Sequence, residues 1–357
     1  MSAAKPPQRP ASEFSPPRPE LTASRSSFAA FTSAQATCTG SSASAGGVAL
    51  AGPATADTRR RHTHELPTWL LIVAIYPAWL AITAMAAHWP LWLLPLLLGP
   101  LLCLHGSLQH EASHGHPTRN PRLNALLAGL PLSLWLPFPR YRESHLAHHE
   151  ATLTDPREDS ESWYLGAAEY AACGAATRAL LRCNNSLLGR WLLGPWIALW
   201  RFARGEWRLL RAGDRAVRRV WLWHLAACAP LLLWLEWVGL PLWQYLLLGV
   251  WPGLSLTLTR SFHEHRADAD PERRTAVVEA GPLFRLLFLN NNYHVMHHRH
   301  PELPWYELPA CYRSYRAALQ AGELGYLPGG YARIARRYLL RSVDGLLHPN
   351  EAGREPG

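Results

Sequence analysis

Three clusters of histidines are the residues in this chain whose types and spacing could do chemistry. The first, His110–His114, reads HExxH; the second, His145–His149, and the third, His294–His298, both read HxxHH. On a helix, residues three and four apart share one face, so each cluster can present two or three imidazoles to one point. Neutral imidazole binds iron, zinc, copper and nickel. Eight histidines exceed what one ion needs, so the pattern predicts a two-metal site.

The first cluster alone also fits a different chemistry. In the HExxH motif of metallopeptidases two histidines bind zinc and the glutamate is the general base. A zinc intramembrane protease using His110, His114 and Glu111 is therefore one alternative. Catalytic zinc takes about three protein ligands, however, and this alternative leaves both HxxHH clusters unexplained. A metal-binding transporter is another alternative, but it predicts polar residues deep in several membrane spans, which contain few.

The composition favours a membrane surface over nucleic acid as the partner of the basic residues. The 357 residues carry a net charge of +9, and almost all of the positive charge is arginine, since Lys5 is the sole lysine. These arginines flank long apolar stretches, so anionic lipid is their expected counterpart. The six cysteines are scattered without a CxxC pattern, which argues against a disulfide framework or a cysteine-bound zinc.

Four apolar stretches must position the histidines. Each has about the length that crosses a hydrocarbon core of ~30 Å as a helix. They pair into two hairpins at short breaks near Pro90 and Pro241, and they cover residues 66–87, 91–108, 220–237 and 240–258. Residues 1–62 are rich in Pro, Ser and Ala and are predicted to be a disordered tail. The sequence therefore predicts an all-α integral membrane protein.

The arginine distribution predicts the orientation of these spans. Arg59, Arg60 and Arg61 precede the first span, ten arginines lie between Arg178 and Arg219, and the two short turns have none. The positive-inside rule then puts both termini and the central loop in the cytoplasm. All three histidine clusters fall on that side, in a helical cap. Spans two and four lead into the clusters, so a lipid-like substrate could reach the metals from the bilayer.

A mixed stretch in the central loop predicts a helix that lies in the headgroup plane. Residues 187–210 combine Trp and Leu with several arginines, as interfacial helices do. Arg201, Arg204 and Arg208 are candidates for binding an anionic head group. Acidic residues that follow the second cluster could hold an imidazole through its outer nitrogen, or could be ordinary solvated acids. These acids are Asp155, Glu158, Asp159 and Glu161.

With these motifs the chain resembles the membrane fatty acid desaturase and hydroxylase superfamily, which is marked by three histidine boxes and four spans. The resemblance extends from Leu66 to Pro309. The stretch Asn290–His298, followed by His300–Tyr306, looks like the third-box region of bacterial members. Arg140–Pro156 looks like their second box. This resemblance implies a domain over residues 63–310, which leaves 311–357 as a cytoplasmic C-terminal extension.

The resemblance also implies a non-haem centre of two iron ions with O2 as co-substrate. Some members add a ninth histidine after the fourth span; His265, 29 residues before His294, takes that role, and His263 is its competitor. Ser261 stands where animal acyl-CoA desaturases have an asparagine that binds iron through water. No catalytic residue is assigned beyond the metal ligands, which are His110, His114, His145, His148, His149, His265, His294, His297 and His298.

The activity that the resemblance implies is desaturation of a fatty-acyl chain. Hydroxylation, ketone formation and alkene-forming decarboxylation stay open, because the ligands do not distinguish these outcomes. The chain contains no cysteine-rich iron–sulfur pattern, Rossmann fingerprint or cytochrome b5 haem motif. A separate electron donor of the ferredoxin, rubredoxin or cytochrome b5 type is therefore expected. The expected location is a bacterial inner membrane, with no nucleic acid as partner.

Overall fold

The computed structural model describes residues 65–351, so the predicted disordered tail at 1–62 lies outside the described residues. The described chain is mostly helical. Its α-helices in chain order are α1 Leu66–Met85, α2 Leu94–Ser113, α3 Pro121–Ala128, α4 Phe138–Glu150, α5 Ala167–Ala172, α6 Ala175–Asn184, α7 Leu187–Leu192, α8 Gly194–Arg211, α9 Arg215–Trp237, α10 Leu242–Tyr245, α11 Trp251–Ser261, α12 Pro282–Leu287, α13 His294–Arg299, α14 Leu308–Ala321 and α15 Tyr331–Tyr338.

Two short strands depart from the all-α prediction. Strand β1, Ala276–Val278, pairs in parallel with β2, Tyr326–Gly329. All three residues of β1 are buried. Val277 packs with Val295 and Met296 of α13 in one apolar cluster, so the small sheet supports the helix that bears the third histidine cluster.

Three helical segments are long and apolar enough to cross a membrane: Leu66–His88, Leu91–Ser113 and Arg215–Trp237. They correspond to three of the four predicted spans. The fourth predicted stretch is helical in pieces, with a π-helical turn at Leu246–Val250 between α10 and α11. Pro252 follows this turn and cannot donate a backbone N–H, which breaks the regular hydrogen-bond ladder.

Side-chain hydrogen bonds join the apolar helices to one another. The Trp79 indole N–H donates to the Tyr245 hydroxyl at 2.9 Å, and the Trp234 indole N–H donates to Thr83 Oγ1 at 2.8 Å. These bonds connect α1 with α10 and with α9. Because each polar group finds its partner inside apolar surroundings, the bonds fix the lateral order of the helices without an unpaired polar atom.

The helices α2 and α11 approach each other most closely at glycines. A Cβ added to Gly99 would lie 2.8 Å from the Pro252 Cβ, and one added to Gly253 would lie 3.0 Å from the Leu102 Cβ. Both helices lead into histidines: α2 ends in the first cluster, and His265 follows α11 by four residues. The contact at these glycines therefore sets the distance between the segments that carry those histidines.

The interfacial helix predicted over residues 187–210 is two helices. Ser186 caps α7 by accepting from the Gly189 N–H at 3.1 Å, and α8 starts at Gly194 with Pro195 in its first turn. Three tryptophans of α8 are exposed: Trp196, Trp200 and Trp207. An apolar, tryptophan-rich exposed face is what a helix in the headgroup plane presents.

The segment after residue 310, predicted as an extension, packs onto the rest of the described chain. Leu188 N–H donates to Leu339 O and Val343 N–H donates to Asn185 O, both at 3.0 Å. His348 lies 3.2 Å from Thr154 Oγ1 and is 2% exposed. Within residues 65–351 these contacts join the C-terminal segment to α7 and to the loop after the second histidine cluster.

Adding a methyl group at Gly99 is expected to destabilise the protein. In Gly99→Ala the new Cβ clashes with Pro252, and such overpacking costs about 1–3 kcal/mol, more than the gain in helix propensity. The measurement is the unfolding temperature in detergent. Gly205→Ala in α8 is the matched control, since a Cβ there meets nothing within 4 Å. Equal unfolding temperatures for the two variants would contradict the proposed role of the α2–α11 contact.

Candidate metal centre

The nine histidines singled out in the sequence converge in the structure. They come from the end of α2, from α4, from α13 and from the segment after α11. Eight of them form two groups, and within each group one ring nitrogen per residue lies within 4.8 Å of the others. Group one is His110, His114, His145 and His297; group two is His148, His265, His294 and His298.

The two HxxHH helices each contribute to both groups. On α4, His145 belongs to group one and His148 to group two; on α13, His297 belongs to group one and its neighbours to group two. His149 lies between the groups. Its Nε2 is 3.0 Å from His297 Nε2, while its ring stacks on His298 at a centroid distance of 4.2 Å. Because α4 and α13 supply both groups, the groups are neighbours.

The spacing of the ring nitrogens fits metal ions. The Nε2 atoms of His114 and His145 are 2.9 Å apart, and His265 Nε2 lies 3.1 Å from His148 Nε2 and 3.0 Å from His294 Nε2. At a metal–nitrogen distance of about 2.1 Å, two ligands at a right angle have nitrogens about 3.0 Å apart. The donor set is all imidazole, which suits iron, zinc or copper.

Carboxylates hold two of these imidazoles from outside. Asp159 Oδ1 lies 2.8 Å from His148 Nδ1, and Glu161 Oε1 lies 3.2 Å from His145 Nδ1. Burial lowers the pKa of His148, but Glu161 and the hydrogen-bonded Asp159 outweigh burial and raise this pKa to about 9. Of the four acids that follow the second cluster, these two contact the histidines. Such contacts orient the ring and make it a stronger ligand.

Two further residues that contact the histidines were not singled out by sequence reasoning. Asn291 lies between the groups, with Oδ1 2.9 Å from His294 Nδ1 and Nδ2 3.2 Å from His110 Nε2. Glu264 Oε1 is 3.5 Å from His294 Nδ1. Asn291 belongs to an asparagine run directly before the third cluster, and Glu264 is adjacent to His265. For Asn291 and for Glu264, the signal that the sequence offered was a position beside predicted metal ligands.

Glu111, the glutamate of the HExxH pattern, also contacts a histidine from outside. Its Oε2 accepts from the Trp305 backbone N–H at 3.0 Å, and its Oε1 lies 3.5 Å from His110 Nδ1. A general base must reach a metal-bound water. Glu111 instead lies beside the outer nitrogen of His110 and accepts from the Trp305 N–H. This arrangement does not favour the metallopeptidase alternative.

The imidazoles of the third cluster are held neutral. Burial, followed by the neighbouring histidines, lowers the pKa of His294, His297 and His298 well below the usual value. Burial and the neighbouring His145 and His148 lower the pKa of His149 to about 3. Neutral imidazole is the form that binds metal. These residues are thus available as ligands near pH 7 without losing a proton.

Other candidates from the sequence lie apart from the two groups. His263 is buried beside Tyr338, with a ring-centroid distance of 5.1 Å, whereas His265 is in group two. The Ser261 hydroxyl is buried and has no hydrogen-bond partner among the described residues. Of the two competitors for the ninth position, the fold brings His265 to the other histidines.

A cavity of about 810 Å³ reaches the histidines. Its wall includes His265, Glu161 and Glu264 from the centre, and apolar side chains that include Leu102, Leu136, Leu254, Leu258, Phe262 and Phe288. Of the three arginines predicted to bind a head group, Arg201 and Arg208 line the cavity and Arg204 does not. Pockets of ~300–1,000 Å³ with mostly apolar walls are typical small-molecule sites.

Comparisons with known proteins agree with this arrangement. A sequence model described as fatty acid desaturase matches residues 87–330, a range that contains all nine histidines. A curated protein from Bacillus subtilis (strain 168), described as a fatty acid desaturase, is 26% identical over 219 residues. These cover 57% of this chain and 62% of that relative, less than two thirds of its length. The chain belongs to the fatty acid desaturase family.

Proposed function

We propose that this protein is an O2-dependent desaturase that introduces a double bond into a fatty-acyl chain, with two iron ions held by the nine histidines. The observation that carries this proposal is the pair of histidine groups beside an apolar cavity. Family membership implies an oxidoreductase, which supports the assignment. One group alone would suit a single-metal enzyme, whereas two adjacent all-histidine groups suit a two-metal oxidation site.

The side chains around the centre would prepare it for this chemistry. Two bound iron ions would let O2, with electrons from an external donor, break an unactivated C–H bond, a reaction for which no side chain supplies the oxidising power. Asp159 and Glu161 hold the outer nitrogens of His148 and His145, so that the Nε2 atoms point inward. These contacts keep the rings in a fixed orientation whether or not substrate is bound.

The cavity would hold the acyl chain next to the centre. Leu254 and Leu258 of α11 line it, and His265 lies on the same wall four residues after that helix. Apolar walls exclude water and bind a hydrocarbon chain without directional bonds. The position of the chain along this wall would then decide which carbon faces the metals.

The proposal also includes a membrane topology that goes beyond the three long apolar helices. We propose that the α10–α11 segment is the fourth span, so that the spans form two hairpins under a histidine-bearing cap. From the arginine-rich segments we propose that the cap and both termini lie in the cytoplasm, at a bacterial inner membrane. A separate ferredoxin, rubredoxin or cytochrome b5 would deliver electrons from that side.

The product distinguishes desaturation from the other outcomes that the same ligands allow. Purified protein in lipid nanodiscs, supplied with a reductant, a donor protein and an acyl substrate, is expected to give an unsaturated acyl chain by gas chromatography–mass spectrometry. A hydroxylated, oxo or shortened alkene product would instead assign a hydroxylase, ketolase or decarboxylase. Substrate turned over without O2 would overturn oxidative chemistry altogether.

Changing one histidine from each group is expected to remove iron. Purified wild-type protein should contain about two iron ions per chain, one for each histidine group. His297→Ala and His148→Ala should each lose at least half of this iron, measured by plasma emission spectrometry. His300→Gln is the matched control, since His300 contacts the Tyr315 hydroxyl at 3.0 Å instead of the groups. One zinc that survives His297→Ala but not His110→Ala would revive the protease alternative.

Neutralising the carboxylate behind His148 is expected to loosen the metal. In Asp159→Asn the ring loses a charged hydrogen-bond acceptor, and such outer changes weaken metal binding about ten- to a hundredfold. The measurement is the chelator concentration that removes half of the iron. Asp155→Asn serves as control, because Asp155 pairs with Arg157 and is outside the histidine groups. Equal chelator resistance in both variants would mean that Asp159 does not tune the centre.

A further inference from the structure

Three arginines on the cavity wall have no carboxylate within ion-pair distance among the described residues: Arg190 on α7, and Arg201 and Arg208 on α8. Arg190 and Arg201 also contact a common aromatic ring. Arg190 is 2% exposed, and its Nη1 has no hydrogen-bond partner in the described part of the chain. Its other nitrogens donate to neutral oxygens: Nε to Asn184 O at 3.0 Å and Nη2 to Asn185 Oδ1 at 3.4 Å. The guanidinium is thus held in place without being neutralised.

The two arginines share one aromatic ring. The guanidinium carbon of Arg190 lies 3.7 Å from the Trp163 ring centroid, and that of Arg201 lies 5.6 Å from it. Arg201 Nη1 donates to Ser162 O at 2.9 Å, a neutral acceptor. Burial, and then the charge of Arg201, lower the pKa of Arg190 to about 9, so Arg190 is still a cation at pH 7.

The acidic groups on the same wall pair with other side chains: Glu161 with His145, Glu206 with Arg140 and Glu264 with Arg260. The charges of Glu169 and Asp159 oppose the lowering of the Arg201 pKa by burial, but neither carboxylate is within ion-pair distance of Arg201. Asp344 accepts from the Tyr164 hydroxyl at 2.7 Å. Asp159 contacts His148 and also accepts from the Thr154 N–H at 2.9 Å. A buried charge without a counter-ion, such as that of Arg190, is unfavourable, as is the charge that is left when one partner of a buried ion pair is removed. An anion that enters the cavity would relieve this cost.

Building on the proposed function, we propose that Arg190 and Arg201 bind the anionic head group of the amphiphile whose acyl chain occupies the cavity. The planar guanidinium groups suit a carboxylate or a phosphate, both of which accept paired N–H donors. This site differs from the surface set expected from the sequence, since it adds Arg190 and leaves out Arg204 and Arg208. The anion would then bind at the cavity wall, where Arg190 is buried and Arg201 is exposed.

Binding to the full-length purified protein tests this proposal without turnover. With no reductant present, equilibrium binding of palmitate, methyl palmitate and lysophosphatidate is measured in nanodiscs of zwitterionic lipid. One of the two anionic ligands is expected to bind at least about tenfold more tightly than methyl palmitate. Tighter palmitate identifies a carboxylate head group, and tighter lysophosphatidate identifies a phosphate. Equal affinity of all three ligands would overturn the proposal.

Arginine variants test which residues bind the anionic head group. Arg190→Gln and Arg201→Gln should each weaken the anionic ligand about ten- to a hundredfold and leave methyl palmitate unchanged. Arg204→Gln is the matched control, because this exposed arginine on the same helix does not line the cavity. If Arg190→Gln misfolds, Arg201→Gln carries the test. Unchanged anion binding in Arg201→Gln would overturn the assignment, while the iron content would still test the desaturase proposal separately.

Discussion

The rest of this structure depends on bringing nine imidazoles from four chain segments to two neighbouring points. Burying so many imidazoles is unfavourable unless their nitrogens find partners, because unpaired buried polar groups cost free energy. Carboxylates and an asparagine contact the outer nitrogens of His145, His148 and His294, and the inner nitrogens of each group lie within 4.8 Å of one another. The helices that carry these segments are held at fixed distances by glycine contacts and buried hydrogen bonds. The apolar part of the fold therefore serves as a frame for one polar centre.

Much of this centre could be predicted from local spacing. The i, i+3, i+4 pattern of HxxHH predicts that three imidazoles share a helix face, and both clusters are helical. Three of the four predicted spans match long apolar helices, because length and hydropathy are local properties. The location of His265 within group two, rather than His263, could be anticipated through the family resemblance but not through its own neighbours.

Other features depend on long-range contacts and could not be predicted in the same way. Asn291 and Glu264 contact histidines that only the fold brings near, so their residue types alone gave no signal. The parallel pairing of β1 with β2 joins segments about 50 residues apart, beyond the reach of periodicity. His348 is buried because the C-terminal segment returns to the loop that follows the second cluster, a contact that local sequence does not indicate. The spacing of the histidines also does not indicate that each HxxHH helix supplies ligands to both groups.

That division has a consequence for how the centre fills. Because α4 and α13 each supply ligands to both groups, an ion in one group restrains the two helices that shape the other. The first ion would then provide most of the free energy that orders these helices. The second ion would bind to ligands that are already in place. Two ions bound here would therefore load cooperatively, with little half-filled protein. The shared pair of short helices would make the proposed two-metal centre behave as a single unit.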